Sequence, residues 1–108
     1  MPKQQRLLSR PELALLLYML RGKPEVEHLL AGLPTIEVED MDDGGMGSLL
    51  FVSSKPNRRF GDAVAQVQFT DEDNVAVLAS INVDKDGELF ELDLFKADFS
   101  PLKKLPVF

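Results

Sequence analysis

The stretch Val75–Ala97 constrains the fold more than any other part of this 108-residue chain. Two runs of alternating polarity flank Asp86-Gly87, with Val75, Val77, Ala79, Ile81 and Val83 before it and Phe90, Leu92 and Leu94 after it. A period of two directs one side of each strand into a core. Asp-Gly between such runs signals a tight hairpin, because a type I′ turn needs positive φ at both central residues. A two-residue turn pairs Lys85 with Glu88, Val83 with Phe90, Ile81 with Leu92 and Ala79 with Leu94. A three-residue turn would set Ile81 opposite Glu91 and break the match of apolar faces. The two-residue turn is therefore expected.

The flanking sequence supplies the rest of a domain. Ser9-Arg10-Pro11-Glu12 is a capping box, and Leu13, Leu16, Leu17 and Leu20 recur at helical spacing until Gly22. Pro24, Val26, Leu29, Leu30 and Gly32 predict a second short helix. Strands are expected at Thr35–Met41, at Ser48–Ser53 and at Ala63–Phe69, the last with Ala65, Val67 and Phe69 facing in. The predicted architecture is one α+β domain over residues 1–108. A helical hairpin (9–32) packs on one face of a five-stranded, mostly antiparallel sheet (35–97), followed by a tail (98–108). On the other face the register places Leu78 opposite Phe95. That apolar pair calls for cover by Phe99, Leu102 and Phe108 of the tail, for a subunit contact, or for a partner site.

Charge narrows the function. Residues 1–23 carry five bases against Glu12, and the last ten residues add Lys103 and Lys104, so the intervening body holds −12 of a net −6 chain. An acidic body repels nucleic acid and favours a basic partner or a cation. No apolar run approaches the ~20 residues of a membrane span, and the start lacks a cleavable signal, so a cytoplasmic location is expected. The chain has no cysteine and one histidine, His28, which removes thiolate chemistry and leaves little for a histidine-based metal cage or acid–base pair.

Two stretches are candidates for binding. Asp42-Asp43-Gly44-Gly45-Met46-Gly47-Ser48 has three glycines in four residues, enough for positive φ and close backbone approach. Surrounding carboxylates oppose a phosphate there, and the lysine and helix of a phosphate-binding loop are missing. Ser48 lacks the setting of a nucleophile. The loop reads either as a plain glycine-rich hairpin turn or as a recognition surface for a basic protein, with Arg58 and Arg59 at its rim. Asn82, Asp84, Asp86 and Asp93 match the spacing of a calcium loop, yet the alternating run after Asp86 is a strand where that motif demands a helix. No cofactor and no metal site is expected.

Asp42–Leu49 (D-D-G-G-M-G-S-L), Arg58–Gly61 (R-R-F-G) and Gly87–Leu102 (G-E-L-F-E-L-D-L-F-K-A-D-F-S-P-L) together resemble a family of small bacterial proteins of unknown function. The resemblance covers the C-terminal two-thirds and implies a strand-rich cytoplasmic domain without assigned catalytic residues. The function expected is a non-enzymatic protein-binding or accessory module, monomeric or weakly homodimeric. The alternatives are a small-molecule or cation-binding domain, or an enzyme acting at the glycine-rich loop.

Overall fold

In the computed structural model, which describes residues 4–108, the two alternating runs become neighbouring strands of a six-stranded antiparallel sheet. The strands are β1 (Gln5–Leu7), β2 (Glu37–Asp40), β3 (Leu49–Phe51), β4 (Phe60–Thr70), β5 (Ala76–Asp84) and β6 (Leu89–Lys96), in the order β1-β2-β3-β6-β5-β4. One α-helix, α1 (Arg10–Leu20), and a 3-10 segment (Glu27–Thr35) cover the inner face. Leu15, Leu16, Met19 and Leu20 of α1 and Leu33 of the 3-10 segment join Val38, Leu49, Phe51, Val77, Ala79, Ile81, Leu92 and Leu94 in one core.

This corrects the expected architecture in two respects. The sheet has six strands, not five, because Gln5–Leu7 pairs with Glu37–Glu39 and adds an edge. A three-residue strand has no periodicity to read. The N-terminal helical hairpin is absent: α1 forms, with Ser9 and Glu12 making both halves of the capping box, but the second element is a 3-10 segment. Gly32 lies within that segment and favours the unfolded backbone, and Pro34 has no N–H for an α-helical bond to Leu30.

The hairpin turn also differs. Asp84 donates its N–H to the Glu88 carbonyl (2.8 Å) and Gly87 donates to that of Asp84 (3.0 Å), which leaves a three-residue loop with Gly87 at φ 84°. Val83 consequently faces Leu89 rather than Phe90. A bulge then inserts Phe90 between the Val83–Leu89 and Asn82–Glu91 pairs and restores Ile81 opposite Leu92 and Ala79 opposite Leu94. The longer turn shifts the register by one residue, and the bulge shifts it back.

Gly61 shows how tightly β4 packs against the turn end of this hairpin. A Cβ at that position would press into the carbonyl of Asp84, which is backbone and cannot swing aside. Gly61→Ala is expected to destabilise the fold by about 1–3 kcal/mol through overpacking, measured by urea unfolding. A change within about 0.5 kcal/mol of wild type would refute the close approach.

Candidate functional site

The glycine-rich loop leads from β2 to β3, and most of its polar groups are taken up by the fold. Asp43 accepts the Met46 N–H (3.1 Å) and the Ser48 N–H (2.9 Å). Burial opposes its ionisation, but these bonds hold its carboxyl below the usual range. Ser48 is buried; its hydroxyl accepts the Leu94 N–H (2.9 Å) and donates to the Leu94 carbonyl (3.3 Å). Gly44, Gly45 and Gly47 all hold positive φ. The backbone that results is a cradle for the tail. Leu102 donates its N–H to the Gly45 carbonyl (3.0 Å), Pro101 packs where a Cβ on Gly45 would stand, and Leu102 and Leu94 close over Gly47.

The tail is fastened by a buried ion cluster. Lys96 has no solvent exposure, and its ammonium donates to Asp71 (2.9 Å), Asp73 (2.6 Å) and the Pro101 carbonyl (3.0 Å). Asp71 also accepts the backbone N–H groups of Glu72, Lys103 and Lys104. Sequence reading passed over this cluster. Its one signal was a lysine at an inner-face position, in phase with Leu92 and Leu94.

Arg58 and Arg59 do not join the glycine-rich loop. Ser48 contacts Leu94 and Met46 contacts Lys96, whereas Arg58 lies toward the opposite end of β6, at Leu89. Arg58 donates to Asp84 (3.0 Å), to the Phe51 carbonyl (2.8 Å) and to the Leu89 carbonyl, with its guanidinium 5.1 Å above the Phe90 ring. β3 and β6 pair only at Leu49–Leu92 and Leu50–Glu91, so Arg58 satisfies carbonyls beyond the last paired rung. Lys55 joins Asp84 from the solvent side (2.7 Å). Arg59 is exposed beside a cleft of about 360 Å³ between residues 55–59 and the hairpin turn.

The outer face of the sheet is the one that α1 and the 3-10 segment leave bare. By the strand register, Glu37, Glu39, Leu50, Glu91, Asp93, Phe95, Leu78, Ser80 and Asn82 point to that side. Asn82 donates to Asp93 (2.7 Å). Burial, together with the charge of Asp93, raises the Glu91 pKa; burial, with a contribution from Asp43, raises that of Asp93. Asp43 thus brings the rim of the glycine-rich loop up to this face. Leu78, Phe95 and Phe99 are 39%, 47% and 67% exposed, and the Phe95 and Phe99 rings meet edge to face at 5.2 Å. Phe99 holds φ 63°, a left-handed backbone that strains a residue with a side chain. The tail therefore covers the Leu78–Phe95 pair only through Phe99, since Leu102 packs against the inner core and Phe108 against Tyr18 and Phe69.

Asp84, a ligand in the calcium-loop reading, is buried between Arg58 and Lys55 instead. Among the described residues no group of three His, Cys, Asp or Glu side chains could hold a metal, and no helix is long and apolar enough to cross a membrane. No curated protein and no solved structure matches the chain. A family model does: that of DUF6984, described as a domain of unknown function, matches residues 5–106. With the match spanning the described sheet, helix and most of the tail, the chain belongs to the DUF6984 family.

Proposed function

We propose that this chain is a non-enzymatic protein-binding module, and that a basic partner segment docks on the outer face of its sheet. The observation that carries this reading is an uncovered face combining an apolar trio with carboxylates. Leu78, Phe95 and Phe99 stand exposed beside Asp93 and Glu91, and the outward strand positions include Glu37 and Glu39 but neither lysine nor arginine. Exposed aromatic anchors beside one sign of charge are the composition of a recognition surface.

The energetics support the same face. Glu91 and Asp93 have raised pKa values, chiefly because of burial, so the fold disfavours their charged forms. Phe99 adds backbone strain while remaining exposed. Groups that weaken a fold in this way are the ones a binding function retains. Asp42 and Asp43 extend the acidic surface at its rim; at another margin Lys55 and Arg58 line a hollow with Glu39 and Leu50, and Arg59 lies outside it.

The test titrates the isotopically labelled chain with a strand-forming peptide that alternates lysine with phenylalanine. Amide shifts are expected at Leu50, Glu91, Asp93 and Phe95, with affinity falling at least about tenfold between low and high salt. Glu91→Lys combined with Asp93→Lys should abolish binding. Shifts confined to the Lys55–Arg59 cleft, or undiminished binding by the double variant, would overturn the reading.

A further inference from the structure

β4 is an edge strand, bonded to β5 on one side only. Its backbone alternation follows from the turn at its end. Asp71 donates its N–H to the Val75 carbonyl (2.9 Å), which makes these two a hydrogen-bonded pair in the ladder that continues as Thr70–Ala76 and Phe69–Val77. In an antiparallel ladder such pairs alternate. Phe69, Val67 and Ala65 therefore turn their amides and carbonyls toward β5, and Thr70, Gln68 and Gln66 turn theirs to the free edge. Among the described residues, no other strand pairs with that edge.

Exposed edges are normally blunted by shortness, charge, proline or bulges. The opposite edge, β1, is three residues long. β4 is eleven residues long, contains no proline, and has no charged residue from Ala63 to Thr70. Its irregularities fall between Phe60 and Ala65, so Ala65–Thr70 runs in unbroken register. In a chain of net charge −6, this neutral, regular edge is open to pairing.

We infer that β4 pairs with β4 of a second copy of this chain, antiparallel about a two-fold axis at Val67. Two six-stranded sheets then join into one. The sequence complements itself in that register. Val67 meets its own equivalent, Gln66 faces Gln68 of the partner subunit, and small Ala65 faces large Phe69 of the partner subunit. Paired residues share a face of the sheet, as they must. The Gln66–Gln68 pairs use the outward-turned amides and carbonyls, so they supply the hydrogen bonds of the seam, and no like charges are opposed. Of the neighbouring symmetric registers, Gln66 facing itself would place the irregular Val64 inside the ladder opposite Gln68, and Gln68 facing itself would bring the buried turn residue Asp71 opposite Ala65. Beside the seam on the inner side, Phe69 meets Phe108, whose ring lies 4.7 Å from Tyr18; both Phe108 and Tyr18 are exposed large apolar residues. The dimer brings these aromatic pairs toward each other. The seam adjoins the outer face proposed for a basic partner, with Gln68 opposite Leu78 and Gln66 opposite Ser80, but it uses the backbone edge of β4, so either reading can fail alone.

Sedimentation of the full chain from micromolar to millimolar concentration tests the inference. Wild type should approach twice the 12.0 kDa of one chain. Q66K with Q68K opposes lysine to lysine in both hydrogen-bonded pairs, and should raise the dimer dissociation constant at least about tenfold. Q66K with Q68E opposes unlike charges across the same pairs, and should restore dimerisation in a salt-sensitive form. Both sites are exposed, and circular dichroism will verify that each variant keeps the fold. A wild type that stays monomeric at millimolar concentration overturns the proposal. So does a Q66K/Q68E variant as monomeric as Q66K/Q68K.

Discussion

Asp71→Ala is expected to cost about 3–5 kcal/mol of unfolding free energy, because it leaves a buried ammonium short of a counter-charge and strands backbone donors. Four groups converge on this carboxylate: the Lys96 ammonium and the N–H groups of Glu72, Lys103 and Lys104. Burial pushes the Asp71 pKa up, but the bonds from Lys103, Lys96, Glu72 and Lys104 outweigh it and hold the carboxyl well below its ordinary 3.8. The sign of the pH dependence follows. A depressed carboxyl stabilises the fold above its unfolded pKa, so this contribution is present at neutral pH and is lost as pH falls below about 4. Burial likewise pushes Lys96 down, and bonds to Asp73 and Asp71 overcome it and raise its pKa above 10.5. Its contribution is therefore present below that pH and is lost as pH rises through the raised value. Urea unfolding across pH reads both arms, and hydrogen exchange at Leu102, Lys103 and Lys104 reads release of the tail. Asp73→Ala should be milder, since its side chain is partly exposed and Asp71 still holds the lysine. An Asp71→Ala variant as stable as wild type would remove the cluster as the fastening of the tail.

That cluster also marks where sequence reading stops. The pairing of β5 with β6 was legible because alternation needs only neighbouring residues, and Ile81–Leu92, Ala79–Leu94 and Leu78–Phe95 all fall as parity demands. The turn was not. A three-residue loop looked excluded by parity because Phe90 gives no local sign of being an inserted residue, and Arg58, which lies over its ring, is far away in sequence. The capping box at Ser9 was read correctly because both halves lie within four residues. The second helix failed because Val26, Leu29 and Leu30 fit a 3-10 turn as well as an α-helix, and Gly32 with Pro34 decides between them.

For the candidate site the same limit applies more strongly. The glycine-rich loop drew attention by composition, yet its glycines make room for Pro101 and Leu102 from the far end of the chain. The R-R-F-G stretch separates into an arginine that closes the sheet, an exposed Arg59, and a glycine pressed against Asp84. Much of what is distinctive in these motifs is thus spent on tail docking and sheet closure. The outer face is no single motif: Glu91, Asp93, Phe95 and Phe99 lie within the Gly87–Leu102 stretch, but Glu39 and Leu50 come from two other strands and join them only through register.

Arg58 gives the second large effect. Its guanidinium makes three directed bonds at once, to Asp84, to the Phe51 carbonyl and to the Leu89 carbonyl, and it lies over Phe90. Arg58→Ala leaves two backbone acceptors without that donor and leaves Asp84 to Lys55 and to the N–H groups of Asp86 and Glu88. A loss of about 3–5 kcal/mol is expected. Arg58→Lys should recover little of it, since an ammonium on a flexible stem cannot reproduce a planar fork directed at three acceptors. Neighbouring Arg59, exposed at the cleft, should tolerate alanine within about 0.5 kcal/mol. Acid sensitivity provides a second readout. Burial pushes the Asp84 pKa up, but Lys55, the Glu88 N–H, Arg58 and the Asp86 N–H together hold it well below 3.8. Its stabilisation is therefore present above that pH and lost below it, and removing Arg58 should flatten this acid limb by weakening the depression. Urea midpoints for the three variants between neutral pH and about pH 3 decide the matter. If Arg58→Lys matched wild type across that range, one point charge would suffice, and the bonds to Phe51 and Leu89 would not be what closes the sheet between β3 and β6.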